Sequence, residues 1–476
     1  MTVSDPLRPP IAALRSRALL PLAALSVLCA LACGPRELQK PNVLLLVVDA
    51  LRADHLGSYN PAVDFTPHID RFADASVVFV DAVAQAPNTI NSTPSILTSV
   101  YVSEHGYTNY KLAISPRHLT AAEILNQRGY ETYAVSTNPH VTARNGLAQG
   151  FDEFIDNPTW IHTDAHVVNR IFFDWVDRRT EKRPFFAMLW YIDPHVPYDP
   201  PASHTARFVP PALRRLVTPR TQRPGFKELS DEEKLVSRKL YQGEVSYFDD
   251  QLGELVEELR RRDLFEDTLI LLTSDHGESF WERRGVDGRP VIGHGISLYP
   301  EEIQVPWLIK LPRSSQVGRF ELRVNSIDIL PTLLEAAAVE DADGLARRMR
   351  GKSLMPFLRG DVAPVAERSV SELVTDFRGS LDIKLRSVET DAGKLILTYM
   401  YRGQQFDPPR AQLFGPAGEE LADDPSDATA VELKRALLAE LEDWEAKLQP
   451  LAPERAQQAS DEEELRKRLE ALGYVN

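Results

Sequence analysis

Residues 265–280 read FEDTLILLTSDHGESF, an apolar run that stops abruptly at Asp-His-Gly-Glu. Leu269, Ile270, Leu271 and Leu272 are too short and too uniformly apolar a run for an amphipathic helix, and read as a central strand covered on both faces. Asp275, His276 and Glu278 crowd its carboxyl end. In open α/β sheets ligands bind in the crevice outside that end, and carboxylate and imidazole are both metal-ligand groups. The same letters also fit a helix start, with Ser274 or Asp275 as N-cap before a glycine turn.

Two further runs of the same kind weigh on the choice. NVLLLVV, from Asn42 to Val48, ends at Asp49, and FFAMLWYI, residues 185–192, ends at Asp193-Pro194-His195. Helical signals lie between the strands. Thr66-Pro67 puts an N-cap and a first-turn proline at the head of a short helix. Residues 119–127 read as a helix stopped by Gly129, and Tyr130 to Ser136 as a strand. Val245, Phe248, Leu252, Leu255 and Leu259 recur at spacings of three and four, one face of a helix over 240–262. Strands alternating with helices imply an α/β fold: a three-layer α/β/α sandwich around a mostly parallel sheet.

Past residue 365 the pattern changes. Strand-like runs at 382–388 and 394–400, a turn-rich PAGEELADDPSD and a helix from Ala428 to Lys447 predict a small C-terminal α+β subdomain. The expected organisation is a catalytic domain over 41–365, the subdomain over 366–450 and a helical tail over 451–476, with Ser460 to Leu472 as a capped helix. Residues 194–224, rich in proline and basic side chains, read as a long surface loop.

Composition narrows the chemistry. With 476 residues, 43% of them hydrophobic, the chain can bury a large core. A net charge of −15 and no long basic tract argue against a nucleic-acid groove. Residues 1–33 read as an export signal: Arg8, Arg15 and Arg17 precede the apolar stretch 18–32, and Ala30-Leu31-Ala32 fits a small-x-small cleavage site. Cys33 follows directly, so the segment resembles a bacterial lipobox, although Ala30 stands where leucine is usual and Leu31 where a small residue is usual. The expectation is an exported protein of the bacterial cell envelope, periplasmic or held to the membrane by a lipid anchor at Cys33, with residues 34–40 as linker. The only cysteines, Cys29 and Cys33, lie in this leader, so the remaining chain has no disulfide, no cysteine metal site and no cysteine nucleophile.

With acids and histidines at three strand ends, the chain resembles the sulfatase family of the alkaline-phosphatase superfamily. NVLLLVVDALRADHLGSY is similar to that family's opening strand and first ligand loop, TPSILTSVYVSEHG to its nucleophile helix, WYIDPHVPY to its mid-chain histidine motif and TSDHGE to its second ligand pair. HGISLYPEEIQVPWLIKLP and NSIDILPTLL resemble later segments, in the same order, so the likeness spans about residues 41–360.

The resemblance implies that Asp49, Asp275 and His276 bind one divalent cation (Ca, Mn, Zn or Mg), with Thr89 as a further ligand. Ala50 stands where the family often has a second aspartate, which implies one metal or a weaker site. Sulfatases oxidise a cysteine or serine to formylglycine in a C/S-x-P-S-R motif. Ser92-Thr93-Pro94-Ser95 keeps the serine version, but Ile96 replaces the arginine, and counting back from Leu97-Thr98-Ser99 puts Thr89 at the nucleophile position. Thr89 is therefore the expected nucleophile, unmodified and with no formylglycine, and Ser92 the alternative. His195 and His294 are expected to contact the substrate oxyanion or to protonate the leaving group. Arg52 either neutralises the substrate anion or forms a salt bridge with Asp54 or Asp49. The expected activity is metal-dependent hydrolysis of sulfate or phosphate esters, on a small anionic ester or a sulfated or phosphorylated glycan. Alternatives are a phosphotransferase acting on an envelope glycolipid or glycan, and an inactive anion-binding lipoprotein.

Overall fold

Strand β1 (Asn42–Val48) has no polar alternation, and it sends Val43, Leu45 and Val47 into one apolar core and Leu44, Leu46 and Val48 into another. Such a strand is stable only with cover on both faces. The computed structural model describes residues 40–455, apart from 157–163, 181–182, 219–221, 223–227, 340–343, 345–346, 363–367, 377–381 and 423.

Seven more strands complete the main sheet: β2 (Val77–Val83), β3 (Glu131–Ser136), β4 (Glu153–Asp156), β5 (Phe185–Tyr191), β6 (Thr268–Thr273), β7 (Gln304–Lys310) and β8 (Gly318–Asn325). Their order is β8-β2-β7-β6-β1-β5-β3-β4. All neighbours pair parallel except β7, which runs antiparallel to both β2 and β6. Helices α1 (Pro67–Asp74), α3 (Ala165–Arg178) and α4 (Asp231–Arg261) cover one face, supplying Phe72, Phe172 and Leu252 to its core. Helices α2 (Thr89–Thr98) and α5 (Ile329–Ala336) cover the other with Ile96 and Leu333. This is the expected three-layer sandwich.

Helix α4 begins nine residues before the helix expected over 240–262. Ser230 and Glu233 form a capping box there, and the first nine helical residues bury only Val236 and Ser237, so periodicity could not reveal that start.

The C-terminal subdomain is a five-stranded antiparallel sheet, β9 (Ser369–Thr375), β10 (Ile383–Thr390), β11 (Gly393–Tyr401), β12 (Gln404–Phe414) and β13 (Glu420–Leu421), with α6 (Ala428–Glu445) packed on it through Leu437, Leu441 and Trp444. It grips the segment between β2 and α2 and the first turn of α2: Ser371 Oγ donates to the Ala84 carbonyl at 2.7 Å, the Glu372 amide to the Gln85 carbonyl at 2.8 Å, and the Val374 amide to Asn91 Oδ1 at 3.1 Å. The subdomain thus steadies the approach to α2. At the head of the expected helical tail, Glu454–Arg455 instead pair as a strand with Leu112–Ala113. The leader and the helix expected over 460–472 lie outside the described residues.

Leu271 is fully buried at the centre of β6, whereas Leu235 is 56% exposed on α4. Leu271→Ala is expected to cost about 2–5 kcal/mol in urea unfolding and Leu235→Ala less than about 0.5 kcal/mol.

Candidate active site

Parallel strands end on a common edge, and here that edge gathers the reactive side chains. Asp49 follows β1, Asp275 and His276 follow β6, His195 follows β5, and β2 leads through residues 84–88 to Thr89 at the start of α2. Because β7 runs the other way, its amino end lies at the same edge, and the loop before it brings in His294.

Asp49, Asp275 and His276 are fully buried, and one ligand atom from each lies within 4.8 Å of the others. His276 Nε2 stands 3.6 Å from Asp49 Oδ1, 3.4 Å from Asp275 Oδ2 and 3.3 Å from Thr89 Oγ1. His276 Nδ1 lies 2.9 Å from the Gly277 carbonyl. A carbonyl can only accept, so the proton sits on Nδ1 and the Nε2 lone pair faces the acids, the arrangement found in metal-bound histidine. Asp49 Oδ2 accepts from Asn138 Nδ2 and, at 3.2 Å, from Trp190 Nε1, and Asp275 Oδ1 accepts from the amides of Ala50 at 3.3 Å and His276 at 3.0 Å. The other oxygen of each acid, Asp49 Oδ1 and Asp275 Oδ2, is buried with no hydrogen-bond donor.

The donor set fits a divalent cation. Separations of 3.3–3.6 Å are those of neighbouring ligands placed about 2.0–2.5 Å from a common centre. Hard oxygens with one imidazole suit Ca, Mn, Zn or Mg. Burial, and then the charge of Asp275, pushes the Asp49 carboxyl up to about 6, and burial pushes Asp275 up to about 7. Burial drives His276, His195 and His294 down to about 4, so the three imidazoles are neutral near pH 7.

Three rings line up beside the acids: the centroids of His276 and His294 are 4.3 Å apart, and those of His294 and His195 4.8 Å. His195 Nδ1 lies 2.5 Å from the Val196 carbonyl and His294 Nδ1 3.1 Å from Glu278 Oε2. Thr89 is the first residue of α2, whose N-cap, Asn88, accepts from the Asn91 amide. Its hydroxyl therefore sits at the positive end of the helix. Ser92, one turn on, is buried, and its Oγ has no hydrogen-bond partner, either with the acids or with the imidazoles.

Two further polar groups at these strand ends are held by other partners. The Arg52 guanidinium is held by both oxygens of Asp54 at 2.9 and 2.7 Å, by Glu282 Oε1 at 2.8 Å and by the Glu278 carbonyl at 2.8 Å. The salt bridge considered for it is thus present, made with Asp54. Asp193 hydrogen-bonds to Glu244 of α4, and burial together with the nearby Asp164 pushes it up to about 7.

Two residues went unnoticed in the sequence. Asn138 Nδ2 donates to Asp49 and lies 3.4 Å from Thr89 Oγ1, and His140 is buried with its amide on Asn138 Oδ1 at 2.7 Å. Burial, then the neighbouring His195 and His294 rings, pushes the His140 imidazole down to about 3. Both follow β3, and Asn138-Pro139-His140 repeats the Asp193-Pro194-His195 pattern after β5, the signal that could have found them.

A three-layer sheet with acids, imidazoles and a hydroxyl at its carboxyl edge defines an α/β ester hydrolase of the alkaline-phosphatase type. The chain belongs to the sulfatase family: residues 41–339 match the family described as Sulfatase. An arylsulfatase of Clostridium perfringens (strain 13 / Type A) is 23% identical over 380 residues, covering 64% of this chain and 76% of the relative. The crystal structure of the phosphonate monoester hydrolase of Agrobacterium radiobacter superposes with a TM-score of 0.67 at 20% identity, over 88% of this chain and 100% of that one. A structure in complex with its substrate D-glucosamine-2-N,6-O-disulfate superposes with a TM-score of 0.65 at 18% identity, over 86% and 98% of the two chains.

The raised acids set the pH behaviour of the metal-free protein. Folded Asp49 and Asp275 hold protons that the unfolded chain releases above about pH 4. Their contribution to metal-free stability therefore falls as pH rises from about 4 to about 7. Asp275→Asn keeps an oxygen for the two amides and removes one charge. Thermal unfolding in a chelator should show it raising Tm at pH 8 and leaving Tm nearly unchanged at pH 4. The same variant should lose the Tm increase that a divalent cation gives the wild type at pH 8.

Gly277 joins the ligand to Glu278 with no room for a side chain: an added Cβ would lie 2.2 Å from the Glu301 carbonyl oxygen. Gly277→Ala is expected to displace His276 and weaken cation binding at least tenfold by calorimetric titration, with the fold retained by circular dichroism.

Proposed function

We propose that this chain is a metal-dependent hydrolase of sulfate or phosphate esters that uses Thr89, chemically unmodified, as its nucleophile. The observation that carries the reading is the placement of Thr89 Oγ1, 3.3 Å from His276 Nε2 and beside Asn138, at the amino end of a buried helix. Asp49, Asp275, His276 and Thr89 would hold the cation, which supplies Lewis acidity that lowers the pKa of the threonine hydroxyl and offsets the charge of the ester. Thr89 Oγ1 attacks the central atom in line with the leaving oxygen. The N–H groups at the head of α2, with Asn138 and His140, are suited to stabilise charge on the equatorial oxygens. His195 and His294 are the two candidates for returning a proton to the leaving oxygen.

An unmodified threonine favours phosphate mono- or diesters. A phosphothreonine can be hydrolysed by water, whereas a sulfated threonine lacks the elimination route that formylglycine provides. The substrate class we infer is a small anionic ester or an anionic glycan, in keeping with the disulfated sugar bound by one structural neighbour. No observation favours the phosphotransferase or the inactive alternative.

Thr89→Ala should abolish turnover with the fold intact, since loss of one hydroxyl at a helix start costs only about 1 kcal/mol. Ser92→Ala should keep substantial activity, and the peptide spanning Ala82 to Lys111 should have its unmodified mass. A loss of about two mass units on Ser92, as oxidation of serine to the aldehyde gives, would make Ser92 the nucleophile and a sulfate ester the substrate.

We further propose that the protein is exported and anchored by lipid at Cys33, a reading supported by the basic, apolar and small-residue succession of residues 1–33. Membrane fractionation should find the wild type in the membrane and Cys33→Ser in the soluble fraction. Wild type released as soluble protein would rule out the anchor and leave export standing.

A further inference from the structure

We propose that this chain carries a second anion site, remote from the reactive edge, where arginines at the far end of α2 bind a phosphate or sulfate group. It goes beyond the hydrolase reading, because no residue of the acid and imidazole cluster takes part in it.

The site is a pocket of about 650 Å³ lined in part by Thr98, the last residue of α2. Thr89 is the first residue of that ten-residue helix, and the rise of an α-helix therefore puts the pocket about 15 Å from the expected nucleophile. Four arginines from two loops line it: Arg117 from one, and Arg347, Arg348 and Arg350 from the other. Glu104 is the one acid among the described lining residues, and its charge is already taken. Its Oε1 accepts from Arg350 Nε at 2.7 Å, Arg350 Nη2 at 2.5 Å and the Gln449 amide at 2.9 Å, and its Oε2 accepts from the Tyr101 amide at 3.2 Å. Among the described residues no carboxylate forms an ion pair with Arg117, Arg347 or Arg348. Three cations without a counter-charge around one pocket stand out in a chain of net charge −15.

Both loops are fastened to the body of the fold. The Arg350 amide donates to the Ser99 carbonyl at 2.7 Å and the Gly351 amide to Ser99 Oγ at 3.0 Å, which ties that loop to the end of α2. The His118 amide donates to the Ser115 carbonyl at 3.0 Å, and Gln149 Nε2 donates to the His118 carbonyl at 2.7 Å, which holds the loop bearing Arg117.

A second observation points to a missing polar partner. His118 also lines the pocket, is only 7% exposed, and has its Nε2 buried without a hydrogen-bond partner. Buried polar atoms are satisfied almost everywhere in folded proteins, by water or a ligand where the fold offers nothing.

The donor set selects the ligand. A guanidinium is always charged and presents a planar fork of N–H groups that fits two oxygens of a tetrahedral oxyanion. A phosphate group offers three strong acceptor oxygens, enough to meet forks arriving from both loops. The pocket has the size of a small-molecule site and is far larger than the oxyanion alone. Val100, Leu119 and Leu451 give it an apolar wall, so it has room for the organic part of an ester as well as for the anionic head.

Calorimetric titration with the methylene phosphonate analogue of glucose 6-phosphate tests the site, because its carbon–phosphorus bond leaves no ester to cleave. The metal-loaded wild type should bind the analogue, and Arg347→Ala/Arg348→Ala should bind it at least about tenfold more weakly. Asp275→Asn, which impairs the cation site, should keep the arginine-dependent binding within about twofold. Circular dichroism should show both variants folded, since Arg347 and Arg348 are exposed. Crystals grown with the analogue should show its phosphonate on Arg117, Arg347 and Arg348. Inorganic phosphate separates the two sources of the anion: weaker binding than the analogue supports an organic ester as the ligand, and equal binding supports the free anion. Binding that is unchanged in the arginine variant, binding lost in Asp275→Asn, glucose bound as tightly as the analogue, or no binding of either anion would overturn the proposal.

Discussion

Two carboxylate oxygens, Asp49 Oδ1 and Asp275 Oδ2, are buried without a donor on either side of His276 Nε2. With both acids ionised and their oxygens within 4.8 Å, they would repel each other by about 3–4 kcal/mol even at an effective dielectric of 20. Left uncompensated, that repulsion adds to the cost of burying each charge. A divalent cation among them turns the penalty into attraction, and the surroundings are built to keep the two oxygens available for it. Asn138 and Trp190 occupy only the other oxygen of Asp49, and the backbone amides of Ala50 and His276 only the other oxygen of Asp275.

The fold brings these groups together through strand direction. Parallel β1, β5 and β6 each end in a polar side chain at one edge, and antiparallel β7 enters the sheet from that same edge. Ala50, directly after Asp49, has φ of 58°, a left-handed turn that an alanine adopts at some cost. That turn aims the Ala50 amide at Asp275 and the Leu51 amide at Ser274 Oγ, 3.0 Å away, so strain at one residue locks the two ligand loops together. Tyr241 of α4 completes the lock: it donates to the Ala50 carbonyl at 2.8 Å and accepts from the Arg52 amide at 2.9 Å.

Much of this was legible in the letters. Buried strands announce themselves as apolar runs, and an acid where such a run stops is conspicuous, which is why Asp49 and Asp275 stood out. Asp193 shows the limit of that signal: it also ends a buried strand, but its carboxyl turns to Glu244, a partner fifty-one residues away that no local pattern reveals. Asn138 and His140 escaped notice because Asn-Pro is an ordinary turn dipeptide, and their meaning depends on β3 lying beside β5. The antiparallel course of β7 escaped notice for the same reason, since a strand's direction depends on the path of the chain rather than on its own residues. Arg52 could be read as an anion ligand or as an ion-pair partner, and the ion pair it makes joins its neighbour Asp54 to Glu282, a residue 230 positions away that no local pattern reveals.

Anomalous diffraction from crystals of the protein grown with manganese tests the central claim most directly. The account predicts one strong peak bounded by Asp49 Oδ1, Asp275 Oδ2, His276 Nε2 and Thr89 Oγ1, each about 2.0–2.5 Å away. Crystals with no peak between these residues, and manganese instead beside the half-exposed group His68, Asp249 and Asp250, would contradict it.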